Sequence, residues 1–209
     1  MGSYVLINPP SELPVTLDDL VAVHLKVDDT DPEAGLITEY MNAATELVQD
    51  CIQRQLMQAT FEYRMKDWNE TAASMYKPSG YLKLDKAPLV TVGSVKYDDT
   101  DNVEQTLSTS DYQVDTTSVP GMIRFIGNLP AVYDKPNAIR IRFVAGYGSA
   151  LDSASAQRTA ITSYGASRAK IAILRATADF YEQRTDESNK AKYKLNNSVE
   201  KLLIPLKLY

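Results

Sequence analysis

The chain is poor in the residues that most often carry chemistry. Its 209 residues include one cysteine, Cys51, and one histidine, His24. A lone cysteine cannot close an internal disulfide, which excludes a small scaffold stapled by such bridges. Two such residues are also too few for a Cys/His zinc site within one protomer. Any Ser–His–Asp relay would have to run through His24 alone. The nine glycines form neither GxGxxG nor a phosphate-cradling GxxxxGK loop. No apolar run approaches the ~18–20 residues that span a bilayer, so no membrane partner is expected. The opening Met1-Gly2-Ser3-Tyr4-Val5-Leu6 lacks a myristoylation signal, and no basic segment leads into an apolar one.

What the chain does have is tyrosine, thirteen against four phenylalanines and one tryptophan. Tyrosine offers an apolar face and a polar tip, which suits core positions and also surfaces that become dry on assembly. Charge is uneven. Residues 168–209 carry nine Lys and Arg against five Asp and Glu, whereas residues 1–167 carry thirteen against twenty-two. An acidic body with a basic end lacks the dominant basic surface of a nucleic-acid binder. It fits an end that docks on an acidic protein.

Hydrophobic periodicity divides the chain. Thr16 and Asp19 have the spacing of a capping box, and Val15 and Leu20 stand at its staple positions. Leu17, Leu20, Val21 and Leu25 line one face of this first helix, which ends at the acidic run Asp28, Asp29, Asp31. Asp31 and Pro32 then predict a second start. From there Leu36, Ile37, Tyr40, Met41, Ala44, Leu47, Val48, Cys51 and Ile52 repeat at helical spacing. Cys51 sits in that stripe as a small apolar side chain rather than a reactive thiol.

From Ala59 the period becomes two. Phe61, Tyr63 and Met65 alternate with charged residues, as do Leu82 and Leu84, and Ile139, Ile141 and Phe143. Residues 90–97 are strand-like with Gly93 a bulge or bend, and 98–102 form a turn. Strands are also predicted over 103–107, 112–114 and 122–126. The resulting α+β organisation has N-terminal helices over 14–57, an antiparallel β module over 58–148, a flexible link or weak helix over 149–167, and a C-terminal helix and arm over 168–209.

In the last helix Ile171, Ile173, Leu174, Thr177, Ala178, Phe180 and Tyr181 cover about half the circumference, wider than one core contact needs. Either the helix is sandwiched within its own unit, or one flank meets another subunit. The second reading makes Ile173, Thr177, Phe180 and Tyr181 candidate subunit-interface residues. Beyond the polar stretch that follows, Val199 precedes Leu202, Leu203, Ile204, Leu206, Leu208 and Tyr209, with Pro205 breaking any helix. Such apolar residues need cover, from the same chain or from a partner.

No motif assigns a catalytic residue, cofactor or metal. Asp98, Asp99 and Asp101 resemble half a calcium loop but lack its glycine at the sixth position and its glutamate at the twelfth. A hairpin turn is expected there instead. His24, on the first helix, reads as a packed or surface residue rather than a general base.

The ordered set Thr16-Leu-Asp-Asp-Leu-Val-Ala-Val-His-Leu-Lys-Val-Asp28, Leu36 to Arg54, Leu82-Lys-Leu-Asp-Lys-Ala-Pro-Leu-Val-Thr-Val-Gly-Ser-Val-Lys-Tyr-Asp-Asp, Tyr112-Gln-Val-Asp, Ile139-Arg-Ile-Arg-Phe-Val-Ala-Gly-Tyr147 and Phe180-Tyr-Glu-Gln-Arg184 resembles phage head–tail connector proteins. These are the adaptor, or head-completion, proteins of long-tailed double-stranded DNA phages. The resemblance spans most of residues 14–184. The chain departs from it in the lengthened segment 149–167 and in the tail after Asn197.

The resemblance implies a non-enzymatic virion neck protein, assembled in the host bacterial cytoplasm. It implies a helical bundle of two N-terminal helices and a long C-terminal helix, carrying an inserted β module. It also implies a ring of copies, typically twelve, between the capsid portal and a stopper or tail component. Double-stranded DNA would pass through the lumen without sequence-specific binding. In that setting Leu202, Leu203, Ile204, Leu206, Leu208 and Tyr209 become the expected portal-docking residues. The alternatives are another neck or tail component, such as a stopper or tail terminator, and a ligand-binding β module with helical flanks.

Overall fold

In the computed structural model, which describes residues 2–23, 34–68, 81–182 and 195–208, the cap announced by Thr16 and Asp19 is closed in both directions. The Thr16 backbone N–H donates to Asp19 Oδ2 at 2.9 Å, and the Asp19 N–H donates to Thr16 Oγ1 at 3.2 Å. Val15 and Leu20 are both buried, as a hydrophobic staple requires. This starts helix α1, Leu17–Val23. His24, Leu25, the acidic run to Asp31 and the expected start at Asp31 and Pro32 lie outside the described residues. Helix α2, Ala34–Ile52, buries Ile37, Met41, Ala44, Thr45, Val48 and Ile52 along one stripe. Cys51 on its flank is half-buried and free.

Mixed α+β, the chain forms two units. One comprises the described parts of Met1–Pro10 and Gln58–Leu151, and the other those of Ser11–Met57 and Asp152–Tyr209. The second unit holds α1 and α2 together with α3 (Ala154–Ser163), α4 (Ser167–Glu182) and α5 (Asn197–Leu203), which runs into a 3-10 turn, Ile204–Leu206.

The segment 149–167, expected as a flexible link or weak helix, contains helix α3. Ser153 caps it by accepting from the Ala156 N–H, and Ile161 is fully buried. Thr159, Thr162 and Ser163 each turn a hydroxyl back to a carbonyl four residues earlier. That local bonding occupies side chains that favour loops in isolation. With Ile161 as its one large buried side chain, the helix lacks the periodic stripe by which sequence reveals such elements.

The first unit is antiparallel throughout. A five-stranded sheet has the order β1-β2-β8-β4-β5, built from β1 (Ser3–Asn8), β2 (Ala59–Met65), β8 (Ile139–Ala145), β4 (Leu89–Asp98) and β5 (Glu104–Thr106). A three-stranded sheet has the order β3-β7-β6, built from β3 (Tyr81–Leu84), β7 (Gly121–Phe125) and β6 (Tyr112–Asp115). One core serves both sheets: Phe61, Met65, Val95, Ile139, Ile141 and Phe143 from the larger meet Leu82, Leu84, Tyr112 and Ile123 from the smaller. Phe143 stacks on Phe61 at 5.9 Å between ring centres and meets the edge of Tyr4 at 6.2 Å. Register slips between Val92 and Ser94, the bulge that Gly93 suggests. Gly121 has no room for a side chain, because a Cβ there would stand 2.4 Å from Leu89 Cβ.

Strand β1 is absent from the sequence reading. It pairs with β2 from Ser3 opposite Arg64 to Asn8 opposite Thr60. Its residues, Ser-Tyr-Val-Leu-Ile-Asn, alternate poorly because Tyr4 packs inward while Val5, Leu6 and Ile7 stay partly exposed at the sheet edge.

Candidate assembly surfaces

A protein that works by association needs residues held outward on rigid elements, so each candidate is placed by what covers it. On α4 the buried set is Ala169, Ala172, Ile173, Ala176, Thr177 and Phe180. Helix α2 packs on this face, bringing the Tyr40 ring 6.4 Å from that of Phe180, and α3 and α5 also pack on α4. The Thr177 hydroxyl donates to the Ile173 carbonyl at 2.9 Å, which satisfies a buried polar group within the helix. The buried part of the apolar arc is therefore divided among neighbours from the same chain, while Ile171 stays 46% exposed. Ile173, Thr177 and Phe180 cannot reach a second subunit while this packing holds. Tyr181 is half-buried.

The terminal segment is likewise folded onto its own unit. Leu203 is 0% exposed, and Val199 and Leu206 are buried. The Arg54 guanidinium donates to the Leu206 carbonyl at 2.8 Å, and the Leu208 N–H donates to the Ile52 carbonyl at 3.2 Å. These bonds tie the chain end to the end of α2. Leu203 and Leu206, expected on a partner, are core residues instead, because α2 and α4 leave an apolar face that α5 fills. Ile204 is 51% exposed, and Leu202 and Leu208 are half-buried. Tyr209 and the polar residues 183–194 lie outside the described residues.

The outward face of the five-stranded sheet carries charge in pairs. Glu62, only 5% exposed, accepts from Arg64 Nε at 2.8 Å and from Arg142 Nη2 at 2.9 Å. Burial alone would raise its carboxyl pKa, but the bonds from Arg64 and Arg142 outweigh that and lower it. Asp98, 4% exposed, receives a two-pronged contact from Arg140 at 2.7 and 2.9 Å and a third from Lys135 Nζ at 3.0 Å. Arg140 above all, working against burial, holds the Asp98 carboxyl at about 2. Arg140 also reaches Glu104, which Lys96 meets at 2.6 Å. The register puts these groups together, since Glu62 faces Arg142 across β2 and β8, and Lys96 faces Arg140 across β4 and β8.

The Asp98 contacts predict an acid transition. Its folded pKa lies below the ordinary 3.8, so its contribution is complete above that value and is lost as pH falls through about 2. Melting temperatures of the wild type and Asp98→Asn should differ by a constant amount above about pH 5 and converge toward pH 2. A gap independent of pH would refute the assignment.

The other acidic residues of this turn are also in use. Asp99 Oδ1 accepts from the Asp101 and Val103 N–H groups, both at 3.0 Å, while Oδ2 accepts from Gln105. The expected hairpin between β4 and β5 forms, with Asn102 at φ 60°. Among the described residues no cluster of His, Cys, Asp and Glu can hold a metal. The β unit has an apolar cleft of about 230 Å³, lined by Ala59, Thr60, Thr91, Val144 and Leu151 among others. That is smaller than the roughly 300–1,000 Å³ of ordinary ligand sites, and no charged side chain points into it.

No protein-family model and no curated protein matches the chain. Solved structures do. A chain from the neck of an empty gene transfer agent (GTA) particle, computed with C6 symmetry, is 20% identical with a TM-score of 0.69. A chain from the virion of a native GTA particle is 19% identical, also at 0.69. A chain from the neck of the native particle, computed with C12 symmetry, is 18% identical at 0.66. Each match covers 100% of this chain and 96% of the other. The chain therefore has a fold found in the necks of gene transfer agent particles, in agreement with the head–tail connector resemblance carried by its motifs.

Proposed function

We propose that this chain is a structural neck protein of a phage-like particle, the head-to-tail adaptor. It forms a ring between the capsid portal and the next neck or tail component, and DNA passes through the lumen. The single observation that supports this most is full-length likeness to chains from necks computed with sixfold and twelvefold symmetry. Twelve copies is the number proposed, and the helices of the second unit form the bundle that carries the β module. The net charge of −5 suits a channel that must not grip phosphate. Assembly takes place in the bacterial host, and no covalent chemistry is involved.

Portal docking is assigned to the chain end, through the outward-reaching Leu202, Ile204 and Leu208 and through Tyr209. Ile204, the most exposed of those described, leads this set. Ile204→Asp should weaken portal binding about tenfold or more, because a charge would be desolvated in an apolar contact, while the melting temperature stays within error of wild type. Mixing the purified chain with portal, stopper and tail tube separately tests the role. Binding to tail tube and not to portal would make it a tail terminator and overturn the adaptor reading.

A further inference from the structure

Helix α2 carries Glu39, Glu46 and Asp50 on its exposed side and contains no basic residue. Among the described residues none of the three forms an ion pair. Asp50 also stands in the last turn, where the helix dipole disfavours negative charge. On a helical wheel the stripe of Glu39, Ala43, Glu46 and Asp50 is opposite the buried Ile37, Met41, Ala44 and Val48. The first three turns of helix α4 show the converse, its two acidic residues, Asp179 and Glu182, standing in the last turn. Its exposed side presents Arg168, Ile171 and Arg175, again opposite its buried face. Arg175 has Asp179 one turn on as an electrostatic neighbour, while Ile171 is 46% exposed between the two arginines.

The spacings match. Glu39 and Glu46 are seven residues apart, as are Arg168 and Arg175, so each pair spans about 10.5 Å of helix. Laid side by side, the helices align both carboxylates with both guanidiniums and set Ile171 over the small Ala43. Within one copy this contact is impossible, because α2 and α4 already meet through their opposite, apolar faces. We infer that α2 of one copy docks on α4 of the next through these stripes, as the head-to-tail contact between subunits. This inference rests on the ring reading above and names the surfaces that would close the ring. Exposed ion pairs supply orientation and partner choice more than affinity, with Ile171 giving the apolar centre.

The test uses two double variants of the full chain, Glu39→Arg/Glu46→Arg and Arg168→Glu/Arg175→Glu, followed by native mass spectrometry and sedimentation. All four side chains are exposed, so circular dichroism and melting should stay as in wild type. Each variant alone should associate roughly a hundredfold more weakly, since like charges then face each other. Mixed one to one they should assemble again, because every basic copy now meets an acidic one. Variants that assemble like wild type, or a mixture that fails to recover, would overturn the pairing and leave the ring intact. A wild-type chain that forms no ring at high concentration, either alone or mixed with portal, would instead overturn the ring reading, and the inference with it.

Discussion

Ending the chain at Asn196 should unfold the helical unit, well beyond removing a docking arm. The deletion strips Val199, Leu203 and Leu206 from the interior, and with them the Arg54 bond to the Leu206 carbonyl. Burying one such side chain is worth about 1.5–3 kcal/mol, so three amount to about 4.5–9 kcal/mol. Whole domains are stable by only about 5–15 kcal/mol. Helices α2 and α4 would also expose the apolar faces on which α5 rests, inviting aggregation. Circular dichroism at 222 nm should show lost helix and a lower or absent melting transition. A truncated chain that melts like wild type but no longer binds portal would show that the segment is a detachable arm.

The second large effect is expected in the β unit. Phe143 is fully buried on β8, in contact with the rings of Phe61 and Tyr4. Phe143→Ala removes these contacts and leaves a cavity walled by two sheets that cannot both collapse into it. The expected cost is about 3–5 kcal/mol, read as a lower urea midpoint with unchanged slope. Near-ultraviolet dichroism from the surrounding tyrosines offers a direct probe. A loss below about 1 kcal/mol would mean that the sheets close over the gap.

These two sites differ in how openly the sequence announced them. Phe143 belongs to the alternation Ile139, Ile141, Phe143, where period two states both strand and face. The α1 cap was equally open, because Thr16 and Asp19 are three residues apart and their partners are local. The burial of Leu203 and Leu206 was not open in that way. An apolar chain end looks the same whether a partner or its own helices cover it, and the answer depends on α2, some 150 residues away in sequence. The same ambiguity surrounded the arc of Ile173, Thr177 and Phe180, which three helices of the same chain share. Helix α3 is legible only as one of two alternatives, a link or a weak helix, because capping and back-bonded hydroxyls, not an apolar stripe, hold it. Strand β1 is not legible at all, because its pairing partner, β2, begins about fifty residues later.

The way the chain threads between its two units bears on its synthesis. The β unit takes its last strand from Ile139–Ala145, whereas the helical unit needs residues after Asp152 to cover α2. At ordinary elongation rates α2 therefore waits roughly 5–30 s on the ribosome with Ile37, Met41 and Val48 uncovered. Two neighbouring nascent chains could satisfy those faces with each other before either is finished. Slow translation across the interval between α2 and α4, or a shortage of holdase chaperones, should thus reduce soluble yield more than any change confined to the sheets.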